Sequence, residues 1–291
     1  MGEDARAGGP ECARDREQGV AARIDAAAVL AAIDLDQRAV GGARRAGMRG
    51  ERRGRVGVVG DQRQRDALLA IARALGPACA GILAHAGHSY ACRSIAEVEA
   101  VAEAERVAAV TAAARLRQAG IACPIVSVGS TPTSLHARRL DGVTETRPGV
   151  YMFQDLFQAQ IGSGAIDDVA VTVLASVIGR RPAENRILID AGALALSKDR
   201  STAAAPHDYG FGLVLDRAGR VRFGEAIVER ANQEHGVIAA PTKLPFDALP
   251  VGARVRVAPN HVCLAAAAHD RYHVVDGGEE IVAVWPRING W

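Results

Sequence analysis

The chain has 291 residues, 49% hydrophobic and 23% charged, with a formal net charge of +2. That length supports a large core and one to three domains, and the near-neutral balance points to no particular charged partner. The five cysteines, Cys12, Cys79, Cys92, Cys123 and Cys263, are odd in number, widely spaced and without a CxxC, which fits a reduced, cytoplasmic setting better than a disulfide scaffold.

The first residues lack an apolar core of the kind a secretion signal needs, and the early apolar run Ala26 to Ile33 is far too short to span a bilayer. Residues 1 to about 23 mix Gly, Ala and charges without periodicity and read as poorly ordered. Val29 to Leu35 is compatible with one strand or half a helix. Arg38 to Gly57 is Gly/Arg-rich, and the stretch Arg44 to Arg65 raises a nucleic-acid arm as one reading. No aromatics are interleaved there, so a solvated loop is preferred and no nucleic-acid partner is expected. Residues 1–55 are assigned as a disordered or irregular segment, with ordered sequence resuming near Val56.

Gln62 to Leu75 places Leu68, Leu69, Ile71, Ala72 and Leu75 at helical spacing, closed by Gly76-Pro77. Gly81 to Ala84 reads as a short buried strand that delivers His85-Ala86-Gly87-His88-Ser89-Tyr90 at its end. Ser94-Ile95-Ala96-Glu97 is a capping-box pattern and opens a long helix to about Ala119, ended by Gly120. Ile121 to Val128 is a second buried strand, leading into Gly129-Ser130-Thr131-Pro132-Thr133. Gly129 permits a close backbone approach, and Thr133 or Ser134 is placed to cap a short helix near 134–140. A strand from Gly142 to Thr146 and a turn of helix within Tyr151 to Ile161 follow. This βαβα order predicts parallel strands, with ligands bound beyond their C-terminal ends. Three polar clusters fall at such ends: HAGHSY, GSTPT and ETRPGVYMFQD. Singly, each is ordinary turn or core chemistry; jointly, they suit a flat, anionic cofactor.

From Asp168 onward short strands predominate, with hairpin turns at Asp216–Arg220 and Asp276-Gly277-Gly278. An antiparallel, barrel-like β-domain is predicted from about 168 to 291. Within it, Pro259-Asn260-His261-Val262-Cys263, read as a strand, puts His261 and Cys263 on one face. Imidazole plus thiolate suits Zn²⁺, although two ligands do not complete a tetrahedral site.

HAGHSY, SVGSTPT, ETRPGVYMFQD, DAGALALSKDRS, the Glu234-His235-Gly236 triplet and PNHVC occur in this order. Together they closely resemble the D-serine dehydratase and D-threonine aldolase family of pyridoxal-phosphate enzymes, over roughly Val56 to Trp291. The resemblance implies the alanine-racemase-like fold. The expected fold class is therefore α/β, with part of a TIM-type (β/α) barrel at 56–167 followed by the antiparallel β-domain at 168–291. It also implies roles. Gly129, Ser130 and Thr131 would hold the cofactor phosphate, with the Tyr151 hydroxyl near it or near the substrate. His85 and Tyr90 would lie around the pyridine ring. His261 and Cys263 would bind zinc. The family's aldolases tend to carry Asp where Cys263 stands, so the thiol leans toward a dehydratase. The implied chemistry is elimination of the β-hydroxyl from D-serine or a related D-3-hydroxy amino acid by a cytoplasmic homodimer.

The Schiff-base lysine of this family belongs near the N-terminus, in a motif like R-P-x-x-K-T-H. This sequence has only Lys198 and Lys243. No catalytic lysine is assigned, because Lys198 lies in a segment that matches the family without being its cofactor lysine. The early barrel elements are missing as well, so the sequence reads as a truncated or frame-disrupted member with impaired activity. Its competitors are a non-catalytic remnant of the family and a D-threonine aldolase-like activity.

Overall fold

The computed structural model describes residues 31–34, 62–220 and 222–288. The segment assigned as irregular up to residue 55 lies outside them except for one strand, and so does most of the basic stretch. The described residues form two compact units.

The first unit holds the described residues up to His85, with Ala104–Val128 and Leu140–Thr146. Its sheet runs in the order β1 (Ala31–Asp34), β2 (Gly81–His85), β3 (Ile125–Val128) and β4 (Glu145–Thr146), and every pairing is parallel. β1 lies inside the window that the sequence left open between strand and helix. The predicted strand from Gly142 shrinks to Glu145–Thr146, because Val143 N–H closes a turn onto the Leu140 carbonyl at 3.0 Å. Helix α1 spans Gln62–Leu75 and buries Leu68 and Ala72 one turn apart. Helix α2 spans Ile95–Gln118 and buries Ala108, Ala109, Ala112, Ala113 and Leu116 at spacings of three and four, so one stripe faces the sheet. Small alanine side chains let Ala109, Ala112 and Ala113, with Leu116, join Ile82, Ala84, Val126 and Val128 in one core. Gly120, at φ +75°, ends α2, and the Ile121 and Gly120 N–H groups return to the Leu116 and Arg117 carbonyls.

The second unit holds Ala86–Glu103, Gly129–Arg139 and residues from Arg147 onward. At the start of α2, Ser94 Oγ accepts from Glu97 N–H at 3.2 Å, while the Glu97 carboxylate accepts from Arg93 N–H at 2.7 Å. The capping box is thus displaced by one residue on its return arm. Helix α3 spans Thr131–His136, three residues earlier than the predicted start at 134. Pro132 sits in its first turn, where a missing N–H costs nothing. Helix α4 spans Leu156–Ile161.

Most of this unit is a closed six-stranded barrel in the order β10-β5-β6-β9-β8-β7. Its strands are β5 (Val173–Arg181), β6 (Arg186–Ile189), β7 (Gly212–Leu215), β8 (Arg222–Ala231), β9 (Gly236–Ala239) and β10 (Arg254–Pro259), all paired antiparallel. Alternation on β5 turns Val173, Ala175 and Val177 inward against Val255 and Val257 of β10. Ile187, Ile189 and Ile238 are fully buried in the same core, each worth about 1.5–3 kcal/mol. A hairpin of β11 (Arg271–Val275) and β12 (Ile281–Pro286) completes the chain.

Two stretches read as strand are helical at their ends. β6 stops at Ile189, and Ala193–Leu196 forms the short helix α5. β10 stops at Pro259, and Val262–Ala267 forms helix α6. Cys263 therefore stands in the first turn of a helix and His261 just before it, not on one face of a strand.

Candidate functional site

At the end of β3 the chain reverses through Gly129, at φ +117°, a value that favours glycine. A Cβ there would stand 2.5 Å from Ser134 Oγ, so the turn also needs the space. Ser130 caps α3. Its Oγ accepts from Thr133 N–H, and Thr133 Oγ1 accepts from Ser130 N–H at 3.0 Å, a reciprocal box built with threonine. Ser130, Thr131 and Thr133 are all buried. Ser89 Oγ shares a hydrogen bond with Ser130 Oγ at 3.3 Å, and Tyr151 N–H donates to Thr131 Oγ1 at 3.2 Å. The buried Ser134 Oγ has no partner, and Thr131 occupies the first helical position, where the N–H has no intrahelical acceptor. This is a polar turn with donors left over.

Tyr90, next to Ser89, stacks on Phe157 of α4 at 5.7 Å between centroids and 16° between planes. Phe157 in turn meets the His261 ring edge-on at 6.2 Å. A continuous path of contacts therefore runs within the second unit from Ser130 through Ser89 and Tyr90 to Phe157 and His261.

Asp155 organises the far end of that path. It caps α4 and is fully buried. Its Oδ1 accepts from Gln158 N–H at 2.7 Å. Its Oδ2 accepts from His261 Nδ1 at 2.7 Å and from Val262 N–H at 2.9 Å. One carboxylate thus serves the first turns of both α4 and α6. Burial of the His261 ring disfavours its charged form, but hydrogen bonds with Asp155 and Cys263 outweigh this and push its pKa up to about 10. Cys263 is an exposed, free thiol within hydrogen-bonding reach of that ring. A nitrogen and a sulfur of this kind can act as a pair of metal ligands. No cluster of three or more metal-ligating side chains occurs among the described residues.

Tyr90, Gly129, Ser130, Thr131, Tyr151, His261 and Cys263 all fall in the second unit, with Tyr151 exposed. His85 is exposed at the last position of β2 in the first unit, where it pairs in register with Asp34. Lys198 Nζ donates to the Ala231 carbonyl at 2.6 Å and lies 5.6 Å from the Phe211 ring centroid. Lys243 is exposed in the loop after β9. The sequence places Ser89 and Asp155 inside the HAGHSY and ETRPGVYMFQD clusters without a role for either, and it gives no sign of Phe157. For Asp155 a signal existed: Asp-Leu-Phe-Gln is a helix-capping pattern ahead of an apolar run.

The serine dehydratase domain pattern matches residues 170–275, and the alanine racemase N-terminal domain pattern matches residues 45–156. The D-threo-3-hydroxyaspartate dehydratase of Delftia sp. (strain HT23) is 46% identical over 231 residues, which cover 77% of this chain and 60% of that protein. A solved structure of a variant of this dehydratase, described as a metal-free form, superposes with a TM-score of 0.75 at 37% identity, covering 95% of this chain and 76% of that one. This chain belongs to the D-serine dehydratase family. The D-serine dehydratase of Dictyostelium discoideum is 32% identical over 221 residues, covering 72% of this chain and 54% of that protein. The chain spans 60% or less of the length of these two curated relatives. Like other members of the D-serine dehydratase family, it has an alanine-racemase-like fold, here with a parallel α/β part and an antiparallel barrel. Its named relatives are lyases. No helix among the described residues is long and apolar enough to cross a membrane.

Proposed function

We propose that this chain carries a pyridoxal-phosphate and zinc site of the kind that, in a whole enzyme, deaminates D-serine or a related D-3-hydroxy amino acid, and that the chain alone is impaired in that reaction. One observation carries the reading: the Ser130–Thr131 turn and the His261–Cys263 pair are joined within one unit by Ser89, Tyr90 and Phe157. The division at residue 168 between partial barrel and β-domain is supported by the start of the serine dehydratase match at residue 170.

The phosphate end of the cofactor fits these residues. The unpartnered Ser134 hydroxyl and the Thr131 N–H, at the first position of α3, suit an anion. The aldehyde end does not fit. A Schiff base needs a free amine, and Lys198 is committed to the Ala231 carbonyl while Lys243 stands on an exposed loop. The metal pair fits zinc, whose borderline-soft character suits imidazole with thiolate. Bound there, zinc would supply Lewis-acid polarisation of a substrate hydroxyl. Asp155 would hold the ring, Phe157 would wall it from one side, and Cys263 would present the second ligand. The thiol at this position supports a dehydratase over an aldolase. The names of the relatives support a D-3-hydroxy amino acid as substrate, and the reading extends to a cytoplasmic homodimer.

The test has two parts. The chain is mixed with pyridoxal phosphate, zinc and D-serine or D-threo-3-hydroxyaspartate, and keto-acid release is followed. No release above the blank is expected. In parallel, borohydride is added to the cofactor-loaded chain and its mass is measured. Reversible retention without a covalent adduct is expected. A covalent adduct lost in Lys198→Ala, together with keto-acid release, overturns the reading of impairment.

A further inference from the structure

We propose that Asp155 is the positioning residue of the metal pair: it holds His261 in the tautomer that carries the proton on Nδ1, so that Nε2 and the Cys263 sulfur face one ion together. The inference rests on the zinc reading above and goes beyond it by assigning a residue that is not itself a ligand.

The argument starts from cost. A fully buried carboxylate is expensive unless every lone pair is used, and capping α4 would need only one oxygen. Asp155 spends Oδ1 on that cap, through Gln158 N–H at 2.7 Å. Its second oxygen is shared by His261 Nδ1 at 2.7 Å and Val262 N–H at 2.9 Å. These two donors flank the bend where β10 gives way to α6, so the same oxygen that fixes the ring also fixes the backbone leading to Cys263. A carboxylate can only accept, so Nδ1 must be the protonated nitrogen whenever the ring is neutral. That leaves Nε2 as the lone-pair nitrogen. Phe157 packs edge-on against the ring at 6.2 Å and limits its rotation. A carboxylate behind a metal-binding histidine raises the basicity of the ligand nitrogen as well as aiming it.

The full chain is titrated with zinc against a chromophoric chelator and with cobalt(II), whose bond to a thiolate gives a charge-transfer band. Wild type, Asp155→Asn, His261→Ala and Cys263→Ala are compared, with circular dichroism as the check on folding. Asp155→Asn is expected to bind zinc roughly 10–100-fold more weakly. The cobalt–sulfur band should persist in it while the ligand-field bands shift toward those of His261→Ala. A merely structural cap would not produce that spectral shift. Because Asp155→Asn risks misfolding, the tautomer is also read in zinc-loaded wild type by ¹⁵N NMR, with Nδ1 expected as the protonated nitrogen. Unchanged zinc affinity in folded Asp155→Asn, or metal bound through Nδ1, overturns the inference while leaving the zinc reading intact. Absence of zinc binding and of the cobalt–sulfur band in wild type overturns the zinc reading and the inference with it.

Discussion

Tyr90 lies flat against Phe157, which turns its edge to His261, with centroid separations of 5.7 and 6.2 Å. Tyr90 follows the first parallel-sheet strand but one, Phe157 sits in α4, and His261 follows the last barrel strand. Three segments far apart in sequence are held together by one half-buried phenyl ring.

Phe157→Ala removes that ring from between the other two. It also removes packing against Cys92, Val98 and Ile161. A loss of about 2 kcal/mol is expected, since aromatic pairs add to area burial and the ring is only partly buried. The midpoint of urea unfolding checks it. Zinc affinity should fall in the same variant, because the His261 ring gains freedom to turn.

Stability of the metal-free chain should depend on pH through His261. Its folded pKa is raised from 6.5 to about 10; burial alone would lower it, but hydrogen bonding to Asp155 and Cys263 prevails. A raised pKa means that the charged ring stabilises the fold fully below about 6.5 and that this contribution is lost as pH rises toward about 10. Unfolding midpoints should decline across that window, and His261→Ala should flatten the decline. Zinc affinity should rise over the same range, as the ion displaces the ring proton.

Gly129→Ala forces a side chain into left-handed backbone at φ +117° and against Ser134 Oγ. A destabilisation above about 1 kcal/mol is expected. Retention of pyridoxal phosphate on gel filtration should be lost in the same variant, whereas Gly149→Ala, with open space around its Cβ, should keep it.

Asn260→Ala should free the loop that leads into β7. The buried Asn260 amide donates to Thr202 Oγ1 at 2.6 Å and to the Gly210 carbonyl at 2.7 Å, and its oxygen accepts from Thr202 N–H at 3.1 Å. Truncation leaves buried groups unpaired at about 1–3 kcal/mol each. Limited proteolysis should then nick the chain between residues 201 and 210, where wild type resists.

Much of the architecture was legible from periodicity. The helical spacing of Leu68 and Ala72 marks α1, the Ser94–Glu97 capping pattern and Gly120 bracket α2, and short strands between hairpin turns mark the barrel, because each signal is local. The polar clusters at HAGHSY and GSTPT were legible too, and Ser89 of the first does meet Ser130 of the second. Asp155 was hidden because its meaning depends on a partner 106 positions away. The path of PNHVC is ambiguous in sequence, since His261 and Cys263 alternate as a strand would while the run Leu264 to Ala268 is rich in helix formers, and the helix prevails. Pro259 closes the strand, and the Asn260 carbonyl is drawn off to Phe157 N–H at 3.1 Å, away from any ladder.

The antiparallel ladder joins β10 to both β5 and β7 and so returns to its starting strand. A ring of this kind has no terminal rung from which to unzip. Its amide protons should therefore trade with deuterated solvent only when the whole ring opens at once, placing the slowest exchange in the molecule at Val214, Ile187 and Val255, and leaving the β11–β12 hairpin to exchange far sooner.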